Sequence, residues 1–204
     1  MRKGSASYEN LKLRLGQLRR NLLFFLPDPP ISKVSYSDVE FDSTRAYVVL
    51  AHAEIEEYCE ELVRSKAQMA RAFYDQTTKV SPVLRRIITY YAVKLEKSWG
   101  DVLNPSALVV ESAFMSYVSR INDNNGVKSK NLEKLLFPLG IHERHLVLLA
   151  TWLAQMNSFG TNRGALAHKG ISTQRPPDPL TQLNTVDQLL AGLLELDRMI
   201  GRLR

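Results

Sequence analysis

The sequence predicts an all-α protein, a single-domain bundle of six to eight helices. Apolar residues recur three and four positions apart along nearly the whole chain, the period of a helix with one buried face. No stretch alternates apolar and polar residues with period two over a useful length, and no strand–helix–strand rhythm is present. Proline, asparagine and glycine fall between the periodic stretches, where helices start and stop.

Leu11, Leu15, Leu18, Leu22 and Phe25 form the first stripe, and Pro27, Pro29 and Pro30 end it. Ile31 to Asp38 reads as linker. Residues 1–40 are thus an expected N-terminal helix and Pro-rich linker, ahead of a helical domain at 41–204. Asp42 or Ser43 offers an N-cap to a second helix whose stripe is Val48, His52, Ile55, Cys59 and Leu62. Ser81-Pro82 is a helix start, because proline at the first helical position gives up only an orphan N–H. That helix carries Leu84, Ile88, Tyr91 and Leu95 and is expected to end near Trp99-Gly100. Asn104-Pro105 repeats the signal for Ala107 through Ile121, and Asn122 to Gly126 is a turn on composition. Ser129 to Phe137 makes a short helix closed by Pro138 and Gly140. An apolar helix follows from Glu143 to Met156, with its stop expected at Ser158-Phe159-Gly160. Asn162 to Lys169 is a short helix-compatible segment with Gly170 placed to cap it. After a Pro-rich loop at Gln174–Pro179, the last helix runs from Leu180 to Leu203.

Composition excludes several classes. The 204 residues carry 27 Lys+Arg against 21 Asp+Glu, a formal charge of +6, which favours polyanionic partners without naming one. Cys59 is the one cysteine, so an intrachain disulfide and a cysteine-based zinc site are both excluded. On its apolar stripe it reads as a core thiol. The start of the chain lacks a secretory h-region, and Leu146 to Met156 is too short and polar to span a bilayer. A cytoplasmic setting without membrane contact is expected. The glycines form neither a phosphate-loop nor a dinucleotide fingerprint, no G-x-S-x-G elbow exists, and no cofactor is expected.

Charge is uneven. Acids dominate from Asp38 to Glu61 and bases from Arg64 to Lys97. These are either solvated faces that pair with each other or a cationic surface for a phosphate backbone. His52 lies on an apolar stripe, the usual place of a satisfied core histidine, though Glu56 at i, i+4 could make an acid/base pair with it. His142 and His145, at i, i+3, could hold a metal only with further ligands from elsewhere; Glu143 and Arg144 beside them suit an ordinary helix cap. No metal site is expected.

His168 lies in Thr161-Asn162-Arg163-Gly164-Ala165-Leu166-Ala167-His168-Lys169-Gly170. On an ideal helix Arg163 and His168 are roughly 7.5 Å apart along the axis and about 140° apart around it. They converge only through the arginine's length, a distorted first turn, or a second copy of the chain. A two-fold dimer would place two guanidinium groups and two imidazoles around one cleft. That kit suffices for cutting RNA. An imidazole can take a proton from a ribose 2′-OH or give one to the leaving 5′-oxygen, while a guanidinium stabilises charge on the phosphate.

An R-x4-H pattern after an apolar helix in an all-α chain resembles the HEPN superfamily, and the resemblance covers most of the chain from about Arg45. Ala46 to Tyr58 (A-Y-V-V-L-A-H-A-E-I-E-E-Y) looks like the first core helix of stand-alone bacterial members. Ile121 to Gly140 is similar to a segment of the same branch, and N-R-G-A-L-A-H-K-G falls where that branch carries its R-x4-6-H motif. The resemblance implies an up-and-down helical core, here with an added N-terminal helix. It also implies a metal-independent endoribonuclease, usually a homodimer, in toxin–antitoxin, antiviral-defence or RNA-processing settings. Arg163 and His168 take the catalytic positions, Asn162 and Lys169 are expected to position the RNA, and an antitoxin or defence-system protein is an expected partner. Members often have a polar residue directly after the arginine, where this chain has Gly164. That departure supports the alternative of a catalytically inactive module binding a partner protein, RNA or a nucleotide. A non-catalytic RNA-binding bundle using the Arg64–Lys97 run is a third reading.

Overall fold

The computed structural model describes residues 4–33, 35–91, 105–168 and 176–204, without the side chains of residues 105, 106, 167 and 168. The elements are α1 (Ala6–Leu22), α2 (Asp38–Thr77), α3 (Pro82–Tyr91), α4 (Pro105–Asn122), α5 (Ser129–Leu136), α6 (Glu143–Leu146), α7 (Ala150–His168) and α8 (Pro179–Gly201). Two 3-10 turns follow α5 and α6, at Phe137–Leu139 and Val147–Leu149. Among the described residues there is no strand, and the fold is all-α as expected.

The chain forms two compact units. The first holds α1, α2 up to Tyr58, Gly126–Ser129, and Leu149–Asp197 with α7 and most of α8. Its buried residues include Leu11 and Leu15 of α1, Val48, Ala51 and Ile55 of α2, Met156 and Phe159 of α7, and Leu183, Val186 and Leu193 of α8. Leu11, Leu15, Val48, Ile55, Leu183, Val186 and Leu193 belong to the stripes read in the sequence, and burial of apolar area supplies the main driving force. Buried Asp197 accepts hydrogen bonds from the Ser5 N–H (2.8 Å), the Ser5 hydroxyl (2.6 Å) and the Tyr58 hydroxyl (3.1 Å). Ser5 also caps α1, its hydroxyl accepting from the Tyr8 N–H. One carboxylate thereby fixes both the start of α1 and the middle of α2.

The second unit holds Cys59–Asn125, Lys130–Leu148 and Arg198–Arg204. Cys59 is buried there, as a core thiol should be. Tyr117 is fully buried, and its hydroxyl donates to the Leu135 carbonyl at 2.6 Å, tying α4 to α5. Gly140 ends the 3-10 turn in the left-handed region (φ 85°), a conformation that favours glycine.

Two boundaries differ from the sequence reading, and the expected end of the third helix lies outside the described residues. Helix α2 begins at Asp38 rather than after Asp42 or Ser43. Ser37 and Glu40 close it reciprocally: the Ser37 hydroxyl accepts from the Glu40 N–H, and the Glu40 carboxylate accepts from the Ser37 N–H at 2.8 Å. Helix α3 is described only to Tyr91, and Leu95, Trp99, Gly100, Lys94 and Lys97 lie outside the described residues.

The second difference matters most. No stop occurs at Ser158-Phe159-Gly160; the irregular stretch is Val147–Leu149, and α7 runs unbroken from Ala150 to His168. The hydroxyls that read as a stop are satisfied inside the helix, Ser158 on the Ala154 carbonyl and Thr161 on the Asn157 carbonyl. A helical glycine costs about 1 kcal/mol relative to alanine. At Gly160 close packing offsets that cost, because the Lys128 stem crosses the helix there.

Gly192 of α8 is a second close approach. A Cβ there would overlap the ring of Trp152, whose indole N–H donates to the Leu189 carbonyl at 3.0 Å and so cannot swing away. Gly192→Ala is expected to destabilise the protein by about 1–3 kcal/mol through overpacking, lowering Tm by several degrees in thermal denaturation. An unchanged Tm would show that α8 can yield.

Candidate active site

Helix α7 brings Arg163 into the first unit. Spacing of four residues sets Phe159 and Arg163 on one face, with Gly160 beside them at i, i+3. Phe159 is buried and its ring lies 5.7 Å from the His52 ring at an interplanar angle of 31°. Arg163 is half-buried, and its Nε has no hydrogen-bond partner among the described residues.

His52 is in the core, 2% exposed, as its place on the α2 stripe predicts. It is not a satisfied core histidine. Its Nδ1 lies 3.5 Å from Glu56 Oε2 but makes no hydrogen bond among the described residues. Burial, then the Arg163 charge, then the Lys128 charge lower its pKa from 6.5 to about 4. The ring is neutral at pH 7, so the expected His52/Glu56 pair is a polar contact rather than an ion pair.

Lys128 arrives from the turn before α5. The Ser129 N–H donates to the Asn157 side-chain oxygen at 2.8 Å, which fastens this turn to α7. The Lys128 side chain then passes Gly160 so closely that a Cβ there would come within 2.9 Å of its Cγ. His52, Lys128, Arg163 and Gly160 all belong to the same compact unit. Side chains from the turn and from α7 thus bring positive charge to bear on the His52 ring, with Glu56 as the acid 3.5 Å from its Nδ1.

Asn162 sits on another flank of α7, where its amide donates to Gln182 of α8 at 2.9 Å. Gly164 has nothing within 4 Å of an added Cβ, so that flank is open. His168 is the last residue of α7; its side chain, and Lys169 and Gly170 entirely, lie outside the described residues. The α7 backbone is helical from Ala150 to His168, so a distorted turn does not bring Arg163 and His168 together. Sequence reasoning did not single out Lys128; the only signal was the glycine four residues after Met156, which read as a stop.

His142 and His145 serve as a helix cap. The His145 Nδ1 accepts from the His142 N–H at 3.0 Å, completing a capping box on α6. No group of metal-ligating residues occurs among the described residues. In the basic run, Arg64 donates to Asn122, and Arg71 pairs with Asp75 and Glu111. No helix among the described residues is long and apolar enough to cross a membrane.

The depressed His52 pKa has a defined effect on stability. Protonation favours the unfolded chain, where the ring has its ordinary pKa, so native stability falls as pH drops from 6.5 toward 4. The full effect is about 3 kcal/mol, and above pH 6.5 it is absent. His52→Phe keeps a ring beside Phe159 and removes the titration. Urea denaturation is expected to show the variant gaining about 2 kcal/mol on the wild type between pH 7.5 and 4.5. A constant difference across that range contradicts the burial of a neutral ring between Arg163 and Lys128.

Comparison with curated proteins and with solved structures returned no match. A family model described as RiboL-PSP-HEPN matches residues 17–195, from within α1 to within α8, and includes the whole of α7. The HEPN domain points to RNase or RNA-related function as a class. The chain belongs to the RiboL-PSP-HEPN family, within the HEPN superfamily.

Proposed function

We propose that this protein is a metal-independent endoribonuclease that acts as a homodimer with a composite Arg/His site. In this reading a ribose 2′-oxygen attacks the adjacent phosphorus and the 5′-oxygen leaves. One His168 takes the 2′-OH proton and the His168 of the second copy returns a proton to the 5′-oxygen. Arg163 stabilises the charge on the non-bridging phosphate oxygens. The products are a 2′,3′-cyclic phosphate and a 5′-hydroxyl. Asn162 and Lys169 position the RNA backbone. A cytoplasmic toxin, phage-defence or RNA-processing role, restrained by an antitoxin or defence-system partner, fits such an activity.

The observation that carries this reading is the R-x4-H pattern at the end of one unbroken helix inside the family match. Arg163 has no carboxylate partner among the described residues, so its charge is available to an anion. One observation favours a catalytically inactive interaction or RNA/nucleotide-binding module instead: Gly164 offers no polar side chain beside Arg163, and its flank is open.

Incubating the protein with total RNA in EDTA distinguishes the two. His168→Ala is expected to lower the cleavage rate by about 10²–10⁴-fold and Arg163→Ala by about 10²–10³-fold. The new 5′ ends should accept phosphate from a polynucleotide kinase without prior dephosphorylation. Equal cleavage by wild type and His168→Ala, or none by either, overturns the catalytic reading. A strictly monomeric species at micromolar concentration overturns the composite site.

A further inference from the structure

We propose that Lys128, with His52 behind it, joins Arg163 in an anion subsite on α7 that holds the same RNA backbone phosphate whose charge Arg163 is proposed to stabilise. The inference rests on the ribonuclease reading for its ligand, but the subsite itself rests on geometry. The His52 side chain is 3% exposed and its Nδ1 has no hydrogen-bond partner among the described residues. Buried polar nitrogens are nearly always satisfied in folded proteins, so an orphan at this position marks a place where the packing answers to something other than stability. The Arg163 Nε, also buried, lacks a partner in the same way.

Charge points to the same ligand class. Lys128 and Arg163 act together on His52, and among the described residues neither is ion-paired. Two cations near a desolvated ring repel each other and disfavour its protonation. An anion with several acceptor oxygens relieves both costs, and a phosphodiester fits better than one carboxylate because it can accept from several donors. Lys128 is exposed although its stem is pinned across Gly160, so the ammonium can meet a ligand from solvent. Lys128 and Arg163 are binding residues here, and His52 is a positioning residue behind them.

Lys128→Met keeps the stem over Gly160 and removes the charge. The control is Lys130→Met, at an exposed lysine two residues on and outside the cluster. The probe is a short single-stranded 2′-O-methyl RNA, which has no free 2′-OH and cannot be cut by this chemistry. Its affinity for the full-length protein is measured against salt concentration. Lys128→Met is expected to reduce the salt slope by about 0.7, one phosphate contact, with Lys130→Met and Lys128→Arg unchanged. In wild type, bound RNA should move the His52 titration, followed by NMR of the ring protons, back up toward 6.5; in Lys128→Met the movement should be smaller. An unchanged slope in Lys128→Met, an equal loss in Lys130→Met, or a His52 titration indifferent to RNA each overturns the subsite. RNA binding with these shifts but no cleavage of natural RNA upholds the subsite and overturns only the catalytic reading. No RNA binding by wild type overturns both.

Discussion

Helix α7 carries Trp152, Met156, Phe159 and Arg163 along one face, and the site depends on that face holding a single register. Trp152, Met156 and Phe159 are buried, so the hydrophobic core sets the rotation of the helix about its axis. Arg163 is the next position on the same face and is half-buried there. Gly160 makes this arrangement possible. A side chain there would push away the Lys128 stem, and with it the turn that Ser129 fastens to Asn157. The same glycine lowers the intrinsic helicity of α7, so the packing it allows has to hold the helix together.

The core therefore does two opposed things. It buries an imidazole, the main cause of that group's low pKa of about 4, and it holds a guanidinium and an ammonium close enough to lower the pKa further. Some basic side chains elsewhere are paired with acids: Arg14 with Glu54 at 2.7 Å and Arg71 with Asp75 at 2.8 Å. Near His52 the acid among the described residues is Glu56, whose Oε2 sits 3.5 Å from Nδ1. Strained electrostatics of this kind commonly mark sites that bind or react, since structural pairs relax to opposite charges.

Most of the fold was legible in the sequence because it follows from period and punctuation. The stripes of α1, α2, α4 and α8 and the starts at Pro82 and Pro105 needed only local information. The start of α2 was legible too, in Ser37-Asp38-Val39-Glu40, but acids and hydroxyls that recur to Ser43 offered a competing cap. Gly160 was misread for a deeper reason. Whether a glycine ends a helix or admits a neighbour depends on what packs against it, and Lys128 is more than thirty residues away in the chain. For the same reason Arg163 was found by its motif, whereas Lys128 and the orphaned nitrogen of His52 became visible only with the fold.

The unbroken course of α7 also sharpens the geometry of the proposed reaction. With the helix regular to His168, positions 163 and 168 stay about 140° apart, and the register puts position 168 on the flank of exposed Thr161 and of Gly164. Arg163, by contrast, is committed to the face that meets His52 and Lys128. One chain thus has its phosphate-holding charge on one face and its acid/base position on another. A lone guanidinium long enough to wrap around the helix would leave the cluster that makes it useful. The proposed homodimer would remove the conflict, since a Cβ at Gly164 would have nothing within 4 Å and a second α7 could approach there. In that arrangement the glycine that looks like a missing polar residue becomes the clearance that lets the two halves of the site meet.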